Sequence, residues 1–253
     1  MKMHVLSGGR LRVRKAMYDA SAARDETLDV PVSCILLRHR QGNVLFDTGC
    51  NPAAAENPEA HWGGLAKVMK PVAPPSDNVT TALGGVGLTC DDIDVVVCSH
   101  LHADHCGCNT FFKRATFAIH AKEVAAARAP NAEKAGYIAA EWEQPSPIDM
   151  IDGQRDLFGD GRIVLIPLPG HTPGTTGALA TLDKSGTFFL ASDTVSLRTT
   201  LETGFIPRNT WSAEALEKSL AEVRRIEAGG ATILCGHDDA QWASLRKGAD
   251  AYE

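Results

Sequence analysis

The stretch CSHLHADHCG, Cys98 to Gly107, constrains this chain more than any other, because it places His100, His102, Asp104 and His105 within six positions. Four titratable side chains in one short loop do not suit an apolar core, where each would need its own partner. They follow IDVVVCS (93–99), a nearly continuous β-branched run of the kind buried on both faces of a sheet. A fold that buries this cluster at a strand end has to compensate it, and metal ions do so most directly.

The same arrangement recurs along the chain. Asp47 sits in VLFDTG (44–49), His171 follows RIVLIPL (162–168), Asp193 ends TFFLASD (187–193) and His237 ends ATILCGH (231–237). Each lies just beyond an apolar run that reads as a strand, so side chains from several strand ends can converge at one edge of a layered β core. The surrounding pattern predicts hairpins around Gly8-Gly9, around Gln41-Gly42-Asn43 and around Asp183–Gly186. Helices are predicted over 77–88, 121–129 and from Ser212, as cap, to about Ala228. Residues 130–160 form a polar excursion with the character of a lid. At 253 residues, without a repeat or a low-complexity tail, the chain is expected to form one domain spanning 1–253.

Composition narrows the partners. A formal net charge of −6 argues against nucleic acid, since phosphate binding needs basic patches. No run is long and apolar enough to cross a bilayer, and MKMHVLSGG lacks the apolar stretch of a leader. Seven cysteines, an odd number without a framework, suit reduced thiols and a cytoplasmic location. Cys106 and Cys108 are spaced too closely for the usual zinc pair. His4, His39, His61 and His120 read as ordinary core or surface residues, and Asn78-Val79-Thr80 as a chance match to a glycosylation triplet.

That leaves seven candidate ligands: His100, His102, Asp104, His105, His171, Asp193 and His237. Five of the nine histidines belong to this set. Imidazole and carboxylate together suit zinc, and also iron, manganese or cobalt; the lack of a cysteine disfavours a purely structural zinc site.

With His-x-His-x-Asp-His at 100–105 and the downstream GHTPG, ASD and GHD segments, the chain resembles the metallo-β-lactamase superfamily over nearly its whole length. The resemblance implies an αββα sandwich, two mixed β-sheets back to back with helices outside. It implies two divalent metal ions, zinc first among them, with His100, His102 and His171 on one and Asp104, His105 and His237 on the other. Asp193 would bridge the pair and Asp47 would orient the ligating histidines.

Within the superfamily the chain is most similar to the N-acyl-homoserine lactonases and the related 4-pyridoxolactonases. The implied activity is opening of a small-molecule lactone by hydroxide held between the two cations, with Asp104 as the catalytic group that shuttles a proton to the leaving alkoxide. Two positions depart from that group's habit: Ala103 stands where a phenylalanine is common, and Ser196 where a tyrosine is thought to orient the substrate carbonyl. Ser196 is the substrate-orienting candidate by position, but its side chain is short. Another lactone, a thioester as in glyoxalase II, or a non-catalytic metal-binding module remain the alternatives, and a homodimer stays open.

Overall fold

Alternation of apolar residues fixes two sheets. The computed structural model describes residues 1–253, and its strands are β1 (Lys2–Arg14), β2 (Thr27–His39), β3 (Gly42–Phe46), β4 (Met69–Pro71), β5 (Val95–Val97), β6 (Thr116–His120), β7 (Ile148–Ile151), β8 (Arg155–Asp156), β9 (Ile163–Pro167), β10 (Thr176–Leu182), β11 (Gly186–Ser192) and β12 (Thr232–Cys235). The first sheet has the order β4-β1-β2-β3-β5-β6-β7 and the second β12-β11-β10-β9-β8. Both are mixed. The β1/β2 and β2/β3 pairs are antiparallel whereas β3/β5, β5/β6 and β6/β7 are parallel. In the second sheet only β11/β12 is parallel.

Along β2, Ile35 and Leu37 enter the core between the sheets, where they join Val44, Phe46, Leu165, Ala178 and Leu190. Cys34 and Leu36 point the other way, into a layer with Leu83 and Val124 from the helices Val79–Gly84 and Ala121–Ala127. The outer face of the second sheet is covered by the helix Ala213–Ala228, whose Leu216, Leu220, Val223 and Ile226 pack on Phe189 and Ile233. Ser212 caps that helix by accepting from Ala215 N–H at 3.3 Å. Helix, sheet, sheet and helix thus stack as the expected αββα sandwich.

Two local expectations change. Gly8-Gly9 is not a hairpin turn: β1 runs through it with a register shift between Ser7 and Arg10, and Gly9 has φ +105°. The reason is a close approach, since a Cβ on Gly8 would lie 2.9 Å from Gly49 Cα and one on Gly49 would lie 2.5 Å from Gly8 Cα. The helix expected over 77–88 is confined to Val79–Gly84, where Asn78 caps it and the following glycines stop it. The excursion 130–160 carries short helical turns, the helix Ala139–Trp142 and strands β7 and β8.

Candidate metal centre

Parallel strands deliver their following loops to one edge of a sheet, and here both sheets do so at the same place. His100 lies beyond β5, His171 beyond β9, Asp193 beyond β11 and His237 beyond β12. His102 begins the short helix Ala103–Cys106, which carries Asp104 and His105 inward; His105 N–H and Cys106 N–H both donate to His102 O. All seven expected side chains meet. His102 Nδ1 is 3.2 Å from His100 Nε2 and 3.0 Å from His171 Nε2. His105 Nε2 is 3.3 Å from His237 Nε2 and 3.4 Å from Asp104 Oδ2. Asp193 lies between the two groups, with Oδ2 3.5 Å from His171 Nε2 and Oδ1 3.0 Å from His237 Nε2.

Neighbouring hydrogen bonds decide which nitrogen faces inward. Asp47, just past β3, accepts from Ser99 N–H and Ser99 Oγ–H, each at 2.7 Å, and from His105 Nδ1–H at 2.8 Å. Ser99 Oγ lies 3.0 Å from His100 Nδ1 and accepts from Ser192 Oγ–H. His237 Nδ1–H donates to Pro31 O at 2.9 Å. These contacts commit three Nδ1 atoms and leave bare Nε2 lone pairs aimed into the centre. Asp47 has φ +60° and Ser192 φ +46°, uncommon for residues with side chains, and both strained positions serve this network.

Lone pairs and carboxylate oxygens packed so closely repel one another unless positive charge sits among them. Asp193 Oδ1 has no hydrogen-bond donor of its own. Burial, reinforced by the neighbouring imidazoles, holds His100 well below its ordinary pKa, and burial takes His171 down to about 3. At His105 and His237 burial acts in the same direction, but the facing carboxylates outweigh it and raise both. Asp104 is held at about 2, because His105 and His237 overcome the effect of burial. Neutral nitrogens on one side and carboxylate-rich nitrogens on the other fit two cations that prefer N and O donors. The donor atoms fall into three groups, His100/His102/His171, His100/His105/Asp193 and Asp104/His105/His237, each within 4.8 Å. Cysteine takes no part: Cys106 and Cys108 are buried thiols that donate to Leu101 O and Cys50 O.

Ser99 and Ser192 escaped the sequence reading, and so did a third supporting residue. Glu123, fully buried, accepts from Leu101 N–H at 3.0 Å, Thr172 Oγ–H at 2.7 Å and Gly174 N–H at 3.0 Å. It fastens the loop carrying His100 and His102 to the loop carrying His171. Glu123 lies in AKEVAAARA, which reads as an ordinary helix with a solvated acid, and no local signal marks it. The four histidines taken as ordinary behave so: His4 bonds Gly248 O, His39 pairs with Asp160, His120 caps a helix and His61 lies near the surface.

Beside His102 and His171 opens a cavity of about 540 Å³, walled by Met17, Leu65, Val68, Tyr137 and Trp211. Tyr137 comes from the 130–160 excursion and pairs with His102 across an isolated β-bridge, so the excursion does border the site.

Comparison with known proteins agrees with this architecture. The N-acyl homoserine lactonase AttM of Azorhizobium caulinodans is 28% identical over 261 residues, covering 100% of this chain and 99% of its own. The N-acyl homoserine lactonase AiiB of Agrobacterium fabrum is 29% identical, covering 99% and 98%. A solved N-acyl homoserine lactone hydrolase, with the product N-hexanoyl-L-homoserine at its catalytic metal centre, superposes with a TM-score of 0.90 at 24% identity, covering 99% of this chain and 98% of its own; it shares the fold. Residues 27–237 match the sequence model of the metallo-beta-lactamase superfamily, and the chain belongs to that superfamily.

Proposed function

We propose that this chain is a metal-dependent lactonase that opens N-acyl-homoserine lactones. The observation that carries the reading is the pairing of two donor groups through Asp193 directly beside a largely apolar cavity. Such a cavity suits a ligand with a polar ring and an acyl tail. The full-length likeness to AttM and AiiB supports the same substrate class.

His100, His102 and His171 would hold one cation, Asp104, His105 and His237 the other, with Asp193 shared; zinc suits the set best. Two divalent cations, when bound, supply Lewis acidity that makes hydroxide available near neutral pH and polarises the ester carbonyl. The chain's own groups do the rest. Asp47 and Ser99 keep His105 and His100 in the tautomer that presents Nε2. Met17, Leu65, Val68 and Trp211 exclude water around the acyl chain. Hydroxide oxygen bonds to the ester carbon and the ring C–O bond breaks; Asp104, a carboxylate at neutral pH, takes the proton of the incoming hydroxyl and hands it to the departing alkoxide. The acid leaves as carboxylate and the ring oxygen as alcohol, so the one proton released per turnover is that given up when water becomes hydroxide.

Mass spectrometry of N-hexanoyl-homoserine lactone incubated with the metal-replete protein tests this. Gain of one water, lost on chelation and in His105→Ala, is expected. An unchanged lactone would overturn the reading.

A further inference from the structure

Two stretches far apart in sequence wall the cavity beside His102 and His171. Leu65, Val68 and Met69 supply one side, and Ala129, Ala132 and Tyr137 another. Between the same stretches lies a second recess, of about 970 Å³, bordered by Trp62, Leu65, Val68, Ala129, Ala132 and Ile138. Leu65, Val68, Ala129, Ala132 and Tyr137 line both spaces, so the recess continues the cavity away from the centre; neither His102 nor His171 borders it. Its charged and polar groups, His61, Glu133, Lys134 and the Arg128–Glu143 pair joined at 3.2 Å, are all exposed, which leaves the inner wall apolar. Ser196, 1% exposed, borders neither space.

One buried carboxylate ties the two stretches together. Glu141, 1% exposed, lies in the helix Ala139–Trp142, just after Tyr137 and Ile138. Its Oε1 accepts from Trp62 Nε1–H at 3.3 Å and lies 3.8 Å from His61 Nδ1, while its Oε2 accepts from Asn51 Nδ2–H at 2.8 Å. Trp62 ends the helix Pro58–Trp62, and the turn Gly63–Lys67 that follows carries Leu65. A carboxylate is costly to bury unless hydrogen-bonded, and here both oxygens are used. The catalytic chemistry makes no use of this group, yet it joins one wall of the recess to the other.

We propose that the recess takes the far end of a long acyl chain, and that Glu141 is the positioning residue that holds its walls in register. This role rests on the lactonase reading. A short tail needs only the cavity beside the centre. Each methylene that passes into the recess gains about fourfold in affinity when fully buried. Walls that drift apart readmit water and forfeit that gain for long chains, while short chains bind as before.

Kinetics with hexanoyl and dodecanoyl homoserine lactones test the proposal. In the wild-type protein the dodecanoyl KM should be about tenfold lower. Glu141→Gln has one acceptor oxygen, so either Trp62 or Asn51 loses its acceptor. Its dodecanoyl KM should rise about tenfold, with the hexanoyl KM, both kcat values and metal content unchanged; a merely structural role would lower Tm without separating the two substrates. Trp62→Phe, which leaves Glu141 bonded to Asn51, should show the same split in smaller measure and serves if Glu141→Gln does not fold. Ala139→Trp fills the recess from an exposed position that the first cavity lacks, and should abolish the long-chain advantage alone. Equal KM values for the two chains in wild type, or an unchanged dodecanoyl KM in Ala139→Trp, would overturn the long-chain assignment. A rise shared by both substrates in Glu141→Gln or Trp62→Phe, or none, would overturn the role of Glu141. Failure of the wild-type protein to open either lactone condemns the lactonase reading instead.

Discussion

Replacing Glu123 with glutamine should loosen the centre without touching a ligand. The carboxylate accepts three hydrogen bonds, one from Leu101 N–H on Oε1 and two, from Thr172 Oγ–H and Gly174 N–H, on Oε2. An amide can keep its oxygen toward Thr172 and Gly174, but its NH₂ then faces the Leu101 N–H. One hydrogen bond to a charged acceptor is lost, about 1.5–3 kcal/mol, and a buried donor is stranded. The two retained bonds weaken as the acceptor becomes neutral. A total of about 3 kcal/mol follows, or a Tm lower by roughly 6–12 °C for a domain of this size. Because Glu123 joins the His100–His102 loop to the His171 loop, the binding of cations should also weaken, by about 10–100-fold as for other groups that orient ligands. Calorimetric unfolding of the metal-free protein gives the first quantity, and competition with a zinc chelator the second. A Glu123→Gln protein within about 2 °C of wild type in Tm and with unchanged metal retention would refute the reasoning.

Other perturbations follow from the same geometry. Asp47→Asn retains a residue tolerant of φ +60°, but with its oxygen kept toward Ser99 Oγ–H and His105 Nδ1–H its NH₂ faces Ser99 N–H, and the retained bonds lose a charged acceptor; chelator competition should show metal affinity about 10–100-fold lower at little cost in Tm. Gly49→Ala would place a Cβ 2.5 Å from Gly8 Cα, backbone that cannot yield, so its soluble yield and Tm should collapse, and a wild-type melt would contradict the packing. Arg162 and the N-terminus hold Asp183 at about 2, and Lys184 and Lys2 hold Glu253 at about 2. Both carboxylates are lowered, so the stability they give is present above their unfolded pKa values and is lost as pH falls through about 2. Amide exchange at Lys184, whose N–H donates to Glu253 O at 2.7 Å, should therefore accelerate in acid before the sheets open. Stripping cations held at about 100 times their Kd should remove about 2.7 kcal/mol per site, read as a lower Tm in chelator that returns when zinc is restored.

The seven donors were legible because each lies next to a strand whose apolar run is unmistakable. A strand end has a direction, so His100, His171, Asp193 and His237 could be placed at one edge before any contact was known. Alternation did the same for the core, as Cys34 to Leu37 show. What stayed hidden depends on partners far away in sequence. A Gly-Gly pair suits a turn or a bulge equally, and only the approach of Gly49 decides that Gly8-Gly9 is a bulge. Glu123 looks like a solvated helix residue until the loops at 101 and 172–174 close over it.

Proton release by the metal-stripped protein, titrated with zinc at near-neutral pH in the presence of an N-acyl-homoserine lactone, tests the two-cation centre most directly. Two shared donor groups predict that release rises until about two equivalents per chain are bound and then reaches a plateau, with an enzyme-like kcat/KM above ~10⁴ M⁻¹s⁻¹. A plateau at one equivalent, or no release at any zinc level, would contradict a paired centre built around Asp193.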